Sequence, residues 1–75
     1  MTQAQLDVKG LKCPMPMLKA KKALANLQSG DELTVYATDP TVQDDFAAFC
    51  RHTGHQLLSS EALTDGSFVL LLRHK

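Results

Sequence analysis

Residues 10–24, GLKCPMPMLKAKKAL, place a cysteine and two prolines in front of a run of helix-forming residues. Apolar residues at spacings of three and four predict an amphipathic helix, and the members of this stripe are Met17, Ala20, Leu24 and Leu27. Because the first backbone N–H groups of a helix have no partner within it, Pro14 and Pro16 are tolerated in its first turn. We predict Cys13 as the N-cap with the prolines at N1 and N3; alternatively, the helix begins at Pro16.

The position of Cys13 bears on the chemistry of its thiol. Pro14 favours extended backbone at Cys13, which is the geometry of an N-cap residue. The helix dipole and the neighbouring Lys12 favour the thiolate over the thiol. These features predict an exposed, reactive sulfur on a stiff turn. The alternative is a small buried hydrophobic residue beside capping prolines, and the residues alone leave both interpretations open.

The flanking segments predict the rest of a first β-α-β unit. In residues 6–9, LDVK, Leu6 and Val8 alternate with polar residues, which is typical of a short strand with one buried face. Gly30 is expected to end the helix. Residues 32–38, ELTVYAT, alternate in the same way and form the second predicted strand.

The second half of the chain predicts one more helix and two strands. Asp39 is the expected N-cap of this helix, with Pro40 at its first position. Its predicted inner stripe comprises Val42, Phe46, Phe49 and Cys50. Residues 55–63 and 67–75 read as strands joined by a Thr-Asp-Gly turn. The predicted order of elements is therefore β-α-β-α-β-β.

This order predicts which residues lie close together. Each β-α-β unit places its helix on one face of the sheet, and two such units on the same face give an α/β two-layer sandwich. Both helices begin at the carboxyl ends of strands, the edge at which open α/β sheets bind ligands. We therefore expect Cys13 and Asp39 along one edge of the molecule.

Composition limits the classes of partner. The chain has 75 residues and is expected to form one domain over residues 1–75. Its 8 Lys and Arg balance its 8 Asp and Glu, so no net charge attracts nucleic acid or an anionic membrane. The longest apolar run, FVLLL, is too short to cross a bilayer, and no secretory signal is expected at the start. Two cysteines form no disulfide framework, so we expect a cytoplasmic protein with reduced thiols.

The second cysteine and the histidines have simpler interpretations. Cys50 shares its predicted helix stripe with Phe46, so a buried thiol is expected rather than a resolving cysteine. The three histidines, at positions 52, 55 and 74, match no zinc-binding spacing together with the cysteines. We expect neither a metal nor a cofactor.

Clusters of like charge are interpreted as solvated surface. Asp44 and Asp45 are adjacent on a helix and point in different directions, so we expect an acidic first turn in contact with water. Lys19, Lys21 and Lys22 are expected on a solvated helix face. Lys21 is also a candidate contact for an acidic partner surface.

Residues 6–24, LDVKGLKCPMPMLKAKKAL, resemble the signature of the TusA-like (SirA-like) sulfur carriers, in which a strand and Gly-Leu precede a Cys-Pro-x-Pro motif that opens a helix. Residues 29–40, SGDELTVYATDP, resemble the second strand and Asp-Pro turn of this family, and residues 44–58 resemble its second helix and third strand. The resemblance implies two helices on a four-stranded mixed sheet whose last strand is antiparallel.

The resemblance also implies an activity. Cys13 would carry a persulfide taken from a cysteine desulfurase or a rhodanese-type donor and passed to an acceptor protein, so the chain would be a carrier rather than a stand-alone enzyme. The family supplies tRNA thiolation, molybdenum-cofactor enzymes, sulfur oxidation and thiosulfate uptake, and nothing in the sequence selects one of these routes. The expected binding residues around the catalytic Cys13 are Lys12, Pro14, Met15, Pro16, Lys21 and Asp39.

A second function class stays open, that of a non-catalytic regulatory, RNA-binding or protein-binding module of the same fold. RNA-binding surfaces use exposed aromatic and basic side chains. The chain has 1 Tyr, 3 Phe, no Trp and no net charge, and both Phe46 and Phe49 are expected in the core. Direct nucleic-acid binding is therefore not expected.

Overall fold

A four-stranded sheet with two helices on one face makes up the computed structural model, which describes residues 2–75. Its elements are β1 (Gln3–Val8), α1 (Met15–Ala25), β2 (Glu32–Ala37), α2 (Val42–Thr53), β3 (Gln56–Ala62) and β4 (Phe68–Arg73). The strands lie in the order β1-β2-β4-β3, with β1 parallel to β2 and β4 antiparallel to both of its neighbours. The predicted β-α-β-α-β-β order and two-layer architecture are confirmed.

The core lies between the sheet and the helices. Alternate residues of the strands face inward and meet the inner stripe of each helix; the buried apolar residues are Val8, Ala20, Leu24, Leu33, Val35, Ala37, Val42, Phe46, Cys50, Leu70 and Leu72. Phe46 is the largest fully buried side chain. Burying a side chain of this kind contributes about 1.5–3 kcal/mol, so α2 is held on the sheet chiefly through Phe46 and its neighbours.

The opposite face of the sheet has no helix on it in residues 2–75. Thr34 and Tyr36 of β2 pair there with Leu71 and Val69 of β4. The neighbouring pair of Glu32 and Arg73 forms an ion pair at 3.0 Å. Polar and apolar side chains are mixed on this face of the sheet. The face therefore tolerates contact with water without a second layer of helices over it.

Helix α1 begins later than predicted. Pro14 rather than Cys13 is the N-cap, since its carbonyl accepts the first helical hydrogen bond from the N–H of Leu18 at 3.0 Å. Pro16 is therefore at N2 instead of N3, and it is buried. The expectation of Cys13 as N-cap is wrong, and so is the alternative start at Pro16, because the helix begins at Met15.

Helix α2 also begins later than predicted. Its N-cap is Thr41 and its first residue is Val42, so neither Asp39 as N-cap nor Pro40 at N1 is correct. The Asp39 carboxylate instead accepts a hydrogen bond from the N–H of Thr41 at 2.9 Å, within a turn that precedes the helix. A short acidic side chain commonly bonds the backbone two residues ahead in this way.

The ends of the helices differ in kind. Helix α2 ends at Gly54, whose φ of 89° suits a residue without a Cβ and whose N–H bonds the carbonyl of Cys50 at 2.9 Å. Helix α1 ends at Asn26, not at Gly30 as predicted, because the N–H of Asn26 bonds back to Ala23 and the side-chain amide bonds Lys22.

In residues 2–75, neither helix has the length and apolar character needed to cross a membrane.

Candidate functional site

Cys13 lies in the loop between β1 and α1, at the carboxyl edge of the sheet. Its thiol is free and exposed. The loop is braced on both sides of it, because Gly10 donates a backbone hydrogen bond to the Thr38 hydroxyl at 2.9 Å and Met15 donates one to the Lys12 carbonyl at 2.9 Å. Of the two open interpretations, the structure favours the exposed sulfur on a stiff turn.

Asp39 ties this loop to the loop that follows β2. One carboxylate oxygen, Oδ2, accepts the N–H of Cys13 at 2.6 Å. The other, Oδ1, accepts the N–H of Thr41 at 2.9 Å and its hydroxyl at 2.8 Å. The bonds from Thr41, followed by the bond from Cys13, lower the pKa of Asp39. Asp39 does lie beside Cys13 as expected, but the residue is only 7% exposed and its carboxylate is occupied by these bonds.

A second carboxylate approaches the sulfur from α2. Asp45 borders the same two clefts as Cys13. Its Oδ2 is also 3.2 Å from the hydroxyl of Thr41. Partial desolvation raises the pKa of the Cys13 thiol above its ordinary value of 9.0, and the carboxylates of Asp45 and Asp39 raise it further.

The electrostatics at Cys13 therefore correct the expectation of a favoured thiolate. That expectation considers the charge of Lys12 and the dipole of α1. It includes no charged group from another helix or strand. In the folded chain the negative charge of Asp45 faces the sulfur, and a like charge disfavours ionisation of a thiol. The carboxylates therefore disfavour the Cys13 thiolate rather than favour it.

Asp45 is the site residue that the sequence interpretation missed. It was assigned to a solvated acidic turn together with Asp44. At about 100° per residue, however, Asp45 falls on the side of α2 that carries Phe49 and Val42, while Asp44 falls on the opposite side. The structure agrees, since Asp44 is exposed and Asp45 is half-buried. Helix phase was the signal that could have distinguished the two.

An open groove of about 440 Å³ runs from Cys13 between the two helices. Its walls are mostly apolar, and its lining includes Cys13, Pro14, Met17, Lys21, Phe49 and His52. The Lys21 ammonium lies 5.8 Å from the centre of the Phe49 ring. Phe49 is half-buried: it packs against the core as expected, and it also forms part of this wall.

The remaining predicted site residues lie around the thiol in different settings. Pro16 is buried and borders a narrower cleft that also reaches Cys13 and Asp39. Met15 is 42% exposed and Lys12 is exposed. Cys50 is buried as expected, and its burial raises the pKa of its thiol. In the part of the chain from residue 2 to 75, no three His, Cys, Asp or Glu side chains are grouped to hold a metal ion.

Comparison with known proteins connects this geometry to a family. The family model described as sulfurtransferase TusA matches residues 4–74. The chain belongs to the TusA family. It is 57% identical over 75 residues to a Neisseria meningitidis protein named "putative sulfur carrier protein", with both chains covered in full. It is 45% identical over 69 residues to the sulfur carrier protein TusA of Allochromatium vinosum, which covers 92% of this chain and 90% of that protein.

A solved structure supports the same assignment at the level of fold. The SirA-like protein of Desulfitobacterium hafniense superposes with a TM-score of 0.83 at 25% sequence identity. The match covers 93% of this chain and 95% of that one. The two helices on a four-stranded mixed sheet, with β4 antiparallel, are thus the arrangement of a SirA-like fold.

Proposed function

We propose that this TusA-family protein is a small sulfur carrier, that residues 1–75 act as one domain, and that Cys13 is the residue that bears the sulfur. The observation that carries the proposal is the exposed, free thiol of Cys13, fixed by Asp39 at the mouth of an open groove. The names of the relatives from Neisseria meningitidis and Allochromatium vinosum, both described as sulfur carriers, support it.

The proposed step is thiol–persulfide exchange. The Cys13 thiolate attacks the terminal sulfur of a donor cysteine persulfide and forms a new S–S bond. The S–S bond within the donor breaks, and the donor cysteine leaves as a thiolate that takes up the proton lost by Cys13. Cys13 then holds a persulfide, and the same exchange in the opposite sense delivers the sulfur to a thiol of the acceptor. The exchange consumes no separate oxidant or reductant.

The surroundings of Cys13 suit such an exchange. Attack requires the two sulfurs and the leaving sulfur to approach in line, so the carrier's sulfur must be exposed and its backbone must be fixed. The hydrogen bond from the Cys13 N–H to Asp39 provides the fixation. The groove beside the thiol offers an apolar surface, with Lys21 and His52 along it, on which a partner segment can rest.

The partners follow from this chemistry. A cysteine desulfurase or a rhodanese-type enzyme forms the cysteine persulfide that the step consumes, and we propose a donor of that class. The acceptor is a protein with a reactive thiol in a sulfur-trafficking route such as tRNA thiolation. Lys12, Met15 and Lys21 are the exposed residues near Cys13 proposed to meet these partners.

A loading assay tests the proposal. The protein is incubated with a cysteine desulfurase and radiolabelled cysteine, and bound label is measured on a gel run without reductant. We expect label on the wild type that is released by a thiol reductant, and none on Cys13→Ser. Label that persists in Cys13→Ser would place the sulfur on Cys50 and contradict the assignment of Cys13. A wild type without label would instead indicate a binding module.

A further inference from the structure

We propose that Asp45 is a positioning residue that holds the proton on the Cys13 thiol in the unloaded carrier, an inference that deepens the proposed function and rests on it. Asp45 lies one turn into α2, and Cys13 lies before α1, so the sulfur and the carboxylate come together only through the packing of the two helices.

The first support is a chain of hydrogen bonds that leads from Cys13 to Asp45. The Cys13 N–H bonds Asp39, Asp39 bonds the N–H and the hydroxyl of Thr41, and the same hydroxyl is 3.2 Å from Asp45 Oδ2. The Thr41 hydroxyl therefore links the carboxylate that holds the Cys13 backbone to the carboxylate of Asp45.

The second support is the position of Asp45 at the clefts. Asp45 and Cys13 together line both the groove between the helices and the narrower cleft beneath it. Asp44, its neighbour in sequence, lines neither. An approaching donor therefore meets the Asp45 carboxylate beside the thiol that it is to modify.

The other charged groups around Cys13 do not replace this effect. Lys21 of α1 and His52 of α2 line the groove, but the Lys21 ammonium is positioned over the Phe49 ring. Lys12 is exposed, and it acts on Asp39, whose pKa its charge helps to lower. Asp39 acts on the thiol in the same sense as Asp45 but is already occupied by three hydrogen bonds.

The chemical consequence is a thiol that reacts slowly while the carrier is free. Alkylation and oxidation both proceed through the thiolate, so a protonated Cys13 is protected from them despite its exposure. The raised pKa of the Cys13 thiol agrees with this arrangement. Neutralising Asp45 then makes the thiolate easier to form.

The rate of alkylation by iodoacetamide as a function of pH tests the inference without any donor. The reagent is neutral, so removing a charge from the protein does not change its attraction to the site. Wild type is compared with Asp45→Asn and with Asp44→Asn, a control that removes the same charge from the same helical turn. Labelling is quantified on the peptide that contains Cys13, because Cys50 falls in a different tryptic peptide.

For Asp45→Asn we expect a profile that rises at lower pH and a rate near neutral pH about threefold higher or more, since the thiolate fraction grows faster than its intrinsic nucleophilicity falls. At high pH the order reverses, because a less basic thiolate attacks more slowly. Asp44→Asn should follow the wild type. This crossing of the profiles would not arise from a looser loop, which raises the rate at every pH.

Two outcomes contradict the inference: an Asp45→Asn profile that coincides with that of the wild type, or an Asp44→Asn profile shifted by as much. Failure of the sulfur-carrier proposal has a different signature. In that case Cys13 gains no sulfur in the loading assay, whatever the alkylation profiles show.

Discussion

The backbone N–H of Cys13 donates a hydrogen bond to Asp39 Oδ2 at 2.6 Å, across a separation of 26 residues. This bond joins the loop before α1 to the loop before α2 and fixes the position of the sulfur. It also changes the role expected for Asp39. A buried carboxylate with three bonds positions Cys13 and offers little charge to a partner.

Replacing Asp39 should therefore lower stability. Asp39→Ala leaves the N–H groups of Cys13 and Thr41 without their acceptor, and we expect the melting temperature to fall by about 5 °C or more. Asp44→Ala is the matched control, because it removes an exposed carboxylate from the nearby first turn of α2. Circular dichroism melts of the two variants measure the difference. Equal melting temperatures would show that the Asp39 bonds do not hold the loops together.

Stability should also depend on pH through Asp39. Hydrogen bonds from Thr41 and Cys13 lower the pKa of Asp39 below its ordinary value of 3.8. A carboxyl group with a lowered pKa in the folded state stabilises the fold above its unfolded pKa, and this contribution is lost as the pH falls through the folded pKa. Urea midpoints measured from about pH 7 down to about pH 3 should fall less steeply for Asp39→Asn than for wild type. Parallel curves for the two proteins would contradict this assignment.

The two cysteines should respond differently to substitution. Cys13→Ser should leave the melting temperature nearly unchanged, because the side chain is exposed and serine keeps its backbone bond to Asp39. Cys50→Ser should cost about 1–3 kcal/mol of unfolding free energy, because it places a hydroxyl among apolar core side chains. Urea unfolding of both variants provides the comparison. A large loss for Cys13→Ser would make that thiol structural.

Charge reversal at Lys21 tests the groove as a docking surface. Lys21→Glu should slow sulfur acceptance from the donor by about threefold or more at low salt, and the effect should shrink as salt rises. Lys19→Glu is the control, since it reverses an exposed charge on the same helix away from the groove. Both variants should melt like the wild type. Identical transfer rates for the two would place recognition in apolar contacts such as those of Met15.

Much of the fold follows from local patterns in the sequence. Period-two and helical stripes predicted all six elements, and the order of elements placed Cys13 beside Asp39. The helix starts could not be predicted this way: α1 begins at Met15, and the N–H of Cys13, which precedes it, bonds a residue 26 positions away. Capping preferences depend on residues close in sequence to the helix end. They do not reveal a hydrogen-bond acceptor that is supplied by a distant part of the chain.

The electrostatics of the candidate site were the least predictable part. The neighbours of Cys13 in sequence include Lys12, which favours a thiolate, whereas its neighbours in space include Asp45 and Asp39, which disfavour it. The packing of α1 against α2 brings Asp45 to the clefts that Cys13 lines. The helical phase of α2 could have distinguished Asp45 from Asp44. It could not have predicted how close Asp45 lies to Cys13.

A peptide map of the protein after loading by a cysteine desulfurase tests the central claim most directly. Trypsin cleaves after Lys and Arg, so Cys13 falls in the peptide of residues 13–19 and Cys50 in that of residues 23–51. With persulfides trapped by an alkylating agent before digestion, we predict one additional sulfur atom on residues 13–19 and none on residues 23–51. An additional sulfur found only on residues 23–51, or on neither peptide, would contradict the account.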